Sequence, residues 1–395
     1  MSPTIFISAG EASGEHYGAL LIEALKKQRA AASQSASYFG MGGERMAAAG
    51  LECIVRSEEM AVMGLTEVVS HLPHIYGEFR KLKRAIRQRP PSVAVLIDFP
   101  EIHFRLAKEF HQLGVPVIFF VSPQLWAWKQ HRIKLVQKYI AKMLVIFPFE
   151  EPFYRERGVQ AEFVGHPLAE LPLPAISCAQ FAAENGLNPE RTWIGLLPGS
   201  RPKEIRDHLP EILRAARLLA GDFEFVIPLA PTLNAAQRDE ARLLAEAHGA
   251  GLALHLVDDA RATLFHARAS VVASGTATVE AALIGNPFVV VYRVSSLTYA
   301  IAKRVVKVPH VAMANLIAGK RVVPELIQSD FSAENIVQQL QRLLPDGPPR
   351  QSMMEELARI RGLLQTQPTG SAEVKSGGAI ERVAAITLET IHLAG

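Results

Sequence analysis

Short apolar runs alternate with longer stretches of mixed polarity along the whole chain. Runs of this kind predict strands that are buried on both faces, and the intervening stretches place their apolar residues at helical spacing. Alternating strands and helices indicate parallel sheets covered on both faces. The predicted strands are Ile5–Ser8, Tyr38–Met41, Val93–Ile97, Val115–Val121, Met143–Phe147, Trp193–Leu197, Phe223–Pro228, Leu252–Leu256, Ser270–Ala273 and Phe288–Tyr292.

A proline-rich stretch, Leu171-Pro172-Leu173-Pro174, separates the two series of strands and predicts an interdomain linker. We expect an N-terminal domain over 1–170, a C-terminal domain over 171–365, and a loop and helix over 366–395 that pack back on a domain or a partner. Ligands of doubly wound sheets bind beyond the carboxyl ends of the strands. The sequence therefore predicts an α/β protein of two doubly wound domains that face each other across a cleft, with the active site in that cleft.

Composition removes several classes of function. The 395 residues carry a net charge of only +3, from 42 basic and 39 acidic residues, which is too weak a bias for a dedicated nucleic-acid binder. The two cysteines, Cys53 and Cys178, form no metal or disulfide motif. The first strand follows Thr4 without signal-peptide features, and no apolar run reaches the ~18 residues of a spanning helix. We expect a cytoplasmic protein whose membrane contact, if any, is peripheral.

The stretch 273–294 predicts a phosphate site. The small turn around Gly275 and Thr276 follows a buried strand and opens a helix. Free amides and the helix dipole at such a terminus favour anions. Glu280, about one turn further on, would reach the hydroxyls of an attached sugar. The combination indicates a site for a nucleotide-sugar donor.

A second turn, Gly199-Ser200-Arg201, follows the first strand of the C-terminal domain. Ser200 offers a donor, and the guanidinium of Arg201 suits a phosphate. A cation there would stabilise a leaving diphosphate without a metal; the alternative is a surface ion pair between Arg201 and Glu204. Asn315, between two prolines, would contact a phosphate or sugar, or else cap a helix.

In the N-terminal domain, Asp98 ends the strand Val93–Ile97, where a carboxylate can accept a proton from a substrate hydroxyl. The alternative is that Asp98 caps the helix beginning near Glu101. The loop after the first strand is expected to form a wall of the acceptor site, unless it is only a tight turn with Ser13 as N-cap. Its candidate acceptor residues are Gly10, Glu11, Ser13 and Glu15, with Glu15 a weaker base candidate.

Residues 60–89 combine an apolar stripe with a basic cluster, a pattern suited to an anionic membrane surface. Pro73 is expected to break or begin a helix within this segment. An ordinary core-facing helix has the same apolar spacing, so both interpretations stand. The candidate membrane residues are Leu65, Val68, Val69, Leu72, Arg80, Lys81 and Arg84. Trp126 and Trp128, on the loop after Val115–Val121, would line a substrate site or serve packing.

Seven strings of residues occur in an order that resembles bacterial lipid-A-disaccharide synthases, from near residue 5 to about residue 340. The first string and the Trp-Ala-Trp loop are specific to that family, whereas the Gly-Ser-Arg turn and the Gly-Thr…Glu helix are shared among GT-B glycosyltransferases. The strings are Ser8–Glu15, Met63-Gly64-Leu65, Ile97-Asp98-Phe99-Pro100, Ser122–Trp128, Val164–Leu168, Leu197–Arg201 and Asn315–Gly319.

The resemblance implies a GT-B fold and an inverting, metal- and cofactor-independent transfer from UDP-2,3-diacylglucosamine to 2,3-diacylglucosamine 1-phosphate, forming a β-1,6 disaccharide 1-phosphate and UDP. By motif match, Asp98 resembles the proton acceptor, Arg201 the diphosphate contact and Glu280 the ribose contact. It also implies work at the cytoplasmic face of the inner membrane and a second copy of the chain as a candidate partner, because relatives exchange C-terminal segments.

Three other classes remain to be distinguished from this one. Another GT-B UDP-sugar transferase, or a UDP-sugar epimerase, would need no apolar acceptor surface. A nucleotide-dependent oxidoreductase on a doubly wound sheet is disfavoured because no GxGxxG string follows the first strand. A non-catalytic module for anionic lipid or RNA would use the basic run 80–89 and would bind without turnover.

Overall fold

The structure is a computed structural model that describes residues 2–31, 33–60, 65–219, 221–305, 308–365 and 377–394. The side chains of 65–72, 296, 297, 301, 302, 305, 393 and 394 lie outside the description. The chain divides into two compact units. The N-terminal unit comprises Met1–Glu170 and Leu364–Gly395, and the C-terminal unit comprises Leu171–Leu363.

The N-terminal unit is built on a parallel sheet with strand order β3-β2-β1-β4-β5-β6-β7. Its strands are β1 Thr4–Ala9, β2 Ser37–Gly42, β3 Glu52–Arg56, β4 Val93–Ile97, β5 Val117–Phe120, β6 Lys142–Val145 and β7 Ala161–Phe163. Its helices are α1 Ala12–Ala31, α2 Glu44–Ala48, α3 Ser57–Met60, α4 Leu65–Gln88, α5 Pro100–Gln112, α6 Ile133–Tyr139 and α7 Glu150–Arg155, with 3-10 turns at Gln130–Arg132 and Pro167–Glu170.

The C-terminal unit repeats the plan with strand order β10-β9-β8-β11-β12-β13, again parallel. Its strands are β8 Thr192–Leu197, β9 Phe223–Pro228, β10 Leu254–Val257, β11 Ala269–Ala273, β12 Phe288–Tyr292 and β13 Glu325–Ile327. Its helices are α8 Cys178–Asn185, α9 Pro202–Leu218, α10 Ala235–Gly249, α11 Ala260–His266, α12 Thr276–Ile284, α13 Ser296–Val305, α14 Met313–Ala318, α15 Ala333–Leu343 and α16 Pro348–Leu364, with a 3-10 turn at Gln328–Asp330.

The central strands are the ones that the apolar runs predicted. All residues of β4, β5 and β11 are buried, as expected for strands covered on both faces. The sequence pattern missed β3, β7 and β13, which lie at the edges of the sheets and carry polar residues. An edge strand lacks a neighbour on one side and so has no need of a continuous apolar run.

Two local expectations are wrong. Pro73 neither breaks nor begins a helix: α4 runs through it from Leu65 to Gln88. An internal proline costs one backbone hydrogen bond and some strain, and the packing of this helix outweighs that cost. Ser13 is not the N-cap of α1, because the helix already begins at Ala12 and Ser13 lies in its first turn.

The carboxyl-terminal half of α4 faces the hydrophobic core of its unit. Leu82 and Ile86 are fully buried, and Ile75 and Phe79 pack partly buried against the same cluster. On this half of the helix, the apolar stripe therefore serves the core, as the alternative interpretation proposed.

A helix from the far end of the sequence completes the N-terminal unit. This helix, α17 (Ala379–Ala394), packs against α1 and buries Val383 and Thr387 completely. Arg382 donates to Glu162 at 2.8 and 3.0 Å, and the Gln28 amide donates to the Glu381 carbonyl at 2.9 Å. One wall of this unit is thus contributed by residues that follow the C-terminal unit in the chain.

Candidate functional site

Each sheet has one place where its strand order reverses. In the N-terminal unit the reversal lies between β1 and β4, and in the C-terminal unit it lies between β8 and β11. Ligands of doubly wound sheets bind in the crevice outside the carboxyl ends of the strands at such a point. Asp98 and the loop from Gly10 follow β4 and β1, and Arg201 and Gly275 follow β8 and β11. The candidate residues therefore lie where each fold leaves room for a ligand.

Asp98 sits on a strained turn between β4 and α5. Asp98 and Phe99 have φ angles of 51° and 49°, in the left-handed region, and Val121 at the end of the neighbouring β5 has a φ of 61°. Such conformations cost on the order of 1–3 kcal/mol each, and they concentrate at functional sites. The N-cap of α5 is Phe99, and no side chain caps this helix. The alternative, in which Asp98 caps α5, is therefore wrong.

The surroundings of the Asp98 carboxyl group raise its pKa to near neutrality. Burial, with a smaller contribution from the charge of Glu11, raises the pKa of Asp98 to about 7, while a hydrogen bond from the Phe99 amide opposes the shift. Desolvation disfavours a charged carboxylate, and a like charge adds to that effect. A base whose pKa lies near the working pH combines adequate ionisation with adequate basicity.

The loop after β1 approaches Asp98 through small and polar residues. Gly10 is buried, and a Cβ atom there would lie 2.3 Å from the Phe99 ring, so only glycine leaves room for that ring. Glu11 is exposed, and its field acts on Asp98. Ser13 is half-buried, whereas Glu15 accepts a hydrogen bond from the Arg45 amide at 2.9 Å. That bond ties Glu15 to the start of α2 and weakens its candidacy as a base.

Two buried ionisable residues of the N-terminal unit were missed by the sequence analysis. Glu150 accepts hydrogen bonds from the Ser122 hydroxyl at 2.6 Å and the Trp126 indole at 3.0 Å, and burial raises its pKa to about 7. It thereby fixes the loop after β5. His103, on α5, contacts the backbone of Asp98. Neither residue stands out in the sequence, since Glu151 directly follows Glu150, and His103 lies between Glu101 and Arg105.

The tryptophans of the loop after β5 have different surroundings. Trp126 is held by Glu150, whereas Trp128 is 42% exposed and has the Lys129 ammonium 4.0 Å from its ring centroid. Lys129 and Arg132 both donate to Glu101, in the first turn of α5. The loops that follow β4 and β5 are therefore tied together beside Asp98.

In the C-terminal unit, α12 begins as the sequence predicted. Gly275 is its N-cap, with a φ of 150° and no side-chain cap, and Gly275 and Thr276 are exposed. The first amides of a helix have no acceptor within it four residues back; here the Thr278 amide donates to the Gly275 carbonyl at 3.1 Å, and no side chain caps the terminus. Glu280 is half-buried one turn further on, where burial raises its pKa and the nearby Arg261 opposes the shift. The geometry suits an anion with a hydroxyl-bearing group beside it.

The Gly-Ser-Arg turn is already capped by its own helix. The Glu204 carboxylate accepts hydrogen bonds from the amides of Ser200 and Arg201 at 3.1 and 3.3 Å. The Arg201 guanidinium lies 3.6 Å from Glu204, so the alternative ion pair exists, yet the Arg201 side chain remains 68% exposed. An ion pair this exposed contributes little, which leaves the guanidinium available to a ligand.

Asn315 is fully buried and uses both ends of its amide within the unit. Its oxygen accepts from the amides of Val322 and Val323 at 2.7 and 2.9 Å, and its nitrogen donates to the Val323 carbonyl and to Glu325. The side chain of Asn315 shapes the turn after α14, which favours a supporting role over direct contact with a sugar.

The basic members of the membrane candidate are exposed. Arg80, Lys81 and Arg84 lie on the solvent side of α4, with the Arg80 guanidinium 5.9 Å from the Tyr76 ring centroid and Lys81 paired with Glu78 at 2.6 Å. The apolar members, Leu65, Val68, Val69 and Leu72, have side chains outside the description.

No helix in the described part of the chain combines the length and the apolar character needed to cross a bilayer.

Comparison with solved structures identifies the architecture. The calicheamicin glycosyltransferase CalG4 matches with a TM-score of 0.60 over 99% of this chain and 98% of its own, at 16% identity. A UDP co-structure of S. aureus MnaA matches with a TM-score of 0.62 over 100% of this chain and 97% of its own, at 13% identity. At such low identities the likeness shows the fold alone, which is that of the GT-B glycosyltransferases.

Comparison of sequences identifies the family. The family model described as Lipid-A-disaccharide synthetase matches residues 5–374. A lipid-A-disaccharide synthase of Acidobacterium capsulatum is 61% identical over 94% of both chains. Another, of Koribacter versatilis, is 51% identical over 93% of this chain and 95% of its own. These matches confirm the resemblance carried by the ordered strings from Ser8–Glu15 to Asn315–Gly319, and the chain belongs to the lipid-A-disaccharide synthase family.

Proposed function

We propose that the chain transfers the sugar of UDP-2,3-diacylglucosamine to the 6-hydroxyl of 2,3-diacylglucosamine 1-phosphate with inversion at the anomeric carbon. The bond from that carbon to the diphosphate breaks, and its electron pair leaves with UDP. The bond to the acceptor oxygen forms on the opposite face, and the hydroxyl proton passes to a base. Family membership supports the reaction, and the residue roles below are proposed from the geometry.

Asp98 is the proposed base. The observation that carries this assignment is a carboxyl group with a pKa of about 7, on a strained turn at the strand reversal of the N-terminal sheet. It accepts the proton as the acceptor oxygen attacks, a contribution typically worth ~10²–10⁴ in rate. Gly10, Glu11, Ser13 and Glu15 form the adjoining wall, in which Glu11 tunes the base and Gly10 admits the Phe99 ring.

Arg201, Ser200 and the amino terminus of α12 are the proposed contacts of the UDP diphosphate. The exposed guanidinium and the helix terminus at the exposed residues Gly275 and Thr276, which no side chain caps, would stabilise the charge that develops on the leaving group. Glu280 would accept hydrogen bonds from the ribose hydroxyls. Asn315 supports this unit from its interior.

A UDP-release assay with the diacylated donor, with and without the acylated acceptor, tests the proposal. Asp98→Asn is expected to lose nearly all turnover while retaining UDP affinity. Arg201→Ala is expected to weaken UDP binding by ~1.5–3 kcal/mol, the range for a hydrogen bond to a charged group. Arg206→Ala is the matched control, because Arg206 lies on the same helix and pairs with Glu240. Normal turnover in the Asp98 variant, or unchanged UDP affinity in the Arg201 variant, would remove that residue's role.

We further propose that the enzyme binds peripherally at the cytoplasmic face of the inner membrane, through the amino-terminal half of α4 and the basic residues Arg80, Lys81 and Arg84 on its carboxyl-terminal half. Each basic residue near an anionic surface is worth about 1 kcal/mol. Replacing Arg80, Lys81 and Arg84 with Gln should reduce sedimentation with anionic vesicles, whereas the same change at Arg238 and Arg242 should not. Equal binding of the two variants would contradict this surface. A second copy is the other proposed partner, and light scattering of the protein in solution tests it.

A further inference from the structure

A buried histidine holds the turn that carries Asp98. His103 is fully buried on α5, between the sheet and the strained residues. Its Nδ1 atom lies 2.5 Å from the Asp98 carbonyl oxygen, and its backbone amide donates to the Phe99 carbonyl at 3.2 Å. One residue therefore bonds the carbonyl groups of both consecutive left-handed residues.

The surroundings of His103 fix its tautomer. Burial lowers the pKa of His103 to about 4, so the ring is neutral at physiological pH. A carbonyl oxygen can only accept, so Nδ1 must carry the ring proton and donate it to Asp98. The Nε2 atom is then an acceptor, and the Ser8 hydroxyl, 2.8 Å away on β1, donates to it. The hydroxyl of Ser8 thus supports the orientation in which the ring contacts Asp98.

The contacts of Phe99 complete the arrangement. The Phe99 ring meets the His103 ring edge-to-face, with centroids 5.8 Å apart and an interplanar angle of 86°. The other side of Phe99 occupies the space that Gly10 leaves free. A left-handed Phe is sterically disfavoured, so the turn persists only because its surroundings over-determine it. His103 supplies two of the directional contacts of the turn, and the Asp98 amide makes a third by donating to the Phe120 carbonyl at 2.9 Å.

We propose that His103 is a positioning residue for the transfer: through its Nδ1 proton, supported by Ser8, it holds the Asp98–Phe99 turn in the conformation that presents the Asp98 carboxylate to the acceptor hydroxyl. The inference rests on the proposed role of Asp98 as base. His103 itself takes no proton in the reaction and contacts no reacting atom.

The test compares two substitutions of similar size and shape, one with an amide group that can donate a hydrogen bond and one without. In His103→Asn the side-chain nitrogen takes the place of Nδ1, whereas His103→Leu puts a methyl group there. We expect the Leu variant to lose at least tenfold in kcat with its KM for the UDP-sugar within about twofold of wild type. The Asn variant should recover most of kcat. His111→Leu, an exposed position on the same helix, is the control and should leave kcat unchanged.

The pH profile distinguishes positioning from a general loss of folded enzyme. If the turn relaxes in His103→Leu, Asp98 gains solvent and moves relative to Glu11, so the acid limb of kcat/KM should move to lower pH. Loss of folded protein alone would scale the rate at every pH. A folded Leu variant with wild-type kcat, or an Asn variant as impaired as Leu with an unmoved limb, overturns the proposal.

Two further measurements keep the inference independent of these variants. Nitrogen NMR of the wild-type imidazole should show the proton on Nδ1, and a proton on Nε2 alone would overturn the proposed contact even if His103→Leu fails to fold. Activity in Asp98→Asn would refute the proposed base. An inactive Asp98→Asn together with a normal His103→Leu would refute only the role of His103.

Discussion

The tuning of Asp98 carries a stability cost that can be measured. In the unfolded chain this carboxyl has its ordinary pKa of 3.8, whereas burial and the charge of Glu11 raise the pKa to about 7 in the folded protein. Between pH 3.8 and about pH 7, Asp98 is therefore protonated in the folded state but ionised in the unfolded state. Stability falls as the pH rises through this window, and above about pH 7 the cost is complete.

The size of the cost follows from the shift. Each pKa unit corresponds to about 1.4 kcal/mol, so the raised pKa destabilises the folded protein by about 4 kcal/mol at pH 8, where Asp98 must ionise in the fold. At pH 5 it destabilises by about 2 kcal/mol, because the folded protein keeps a proton that the unfolded chain has released. Asp98→Asn removes this cost and keeps a side chain that tolerates the left-handed turn. We expect the variant to be inactive yet more stable than wild type, with a gain about 2 kcal/mol larger at pH 8 than at pH 5.

Urea unfolding at the two pH values provides the assay. The chain has three tryptophans, so in a Trp193→Phe background only Trp126 and Trp128 remain, and both report on the N-terminal unit. The difference between the two pH values isolates the charge effect from any pH-independent effect of the amide. An Asn variant that is no more stable at pH 8, or whose gain is equal at both pH values, would refute the argument that Asp98 is ionised at a cost.

Three other substitutions test neighbouring features. Glu11→Gln removes a charge that raises the pKa of Asp98, so the acid limb of kcat/KM should move to lower pH; an unmoved limb in steady-state assays would separate Glu11 from the base. Asn315→Ala leaves buried amides without acceptors and should destabilise the C-terminal unit by about 1–3 kcal/mol in urea; wild-type stability would argue for a role in ligand binding instead. Gly10→Ala places a Cβ atom against the Phe99 ring and should reduce kcat, while UDP affinity measured by calorimetry should stay unchanged. Full activity would show that the Phe99 ring can move without loss of function.

Much of the framework could be read from the sequence because buried parallel strands leave a strong signal. Continuous apolar runs marked β4, β8, β11 and β12, and chemistry-bearing residues stood directly after several of these strands. The carboxyl end of a parallel strand is where a ligand can reach the chain, so the position of Asp98 followed from the end of β4. The apolar pattern did not predict edge strands such as β3, because these strands are less buried and their composition is therefore less apolar.

Features that depend on tertiary contacts could not be predicted from the sequence pattern. The left-handed backbone at Asp98 and Phe99 contacts His103 in the folded chain, where α5 packs on the sheet, and no local pattern announces this contact. Asn315 offered two equally plausible roles in the sequence, and its complete burial is visible only in the folded chain. Glu204, by contrast, had a local signal, because Pro202 and Glu204 stand at the first and third positions of α9, where a capped helix start places a proline and an acceptor.

The return of α17 to α1 has a consequence for how the protein is made. When residues 1–170 have left the ribosome, α17, the helix that packs on α1, has not yet been translated. The whole C-terminal unit is synthesised before α17. Domains generally fold as units during synthesis, but here the first unit must wait for the second with part of its apolar surface uncovered. Premature termination before Ala379 would therefore damage the half of the enzyme that was translated earliest, and chaperones would meet that half throughout elongation.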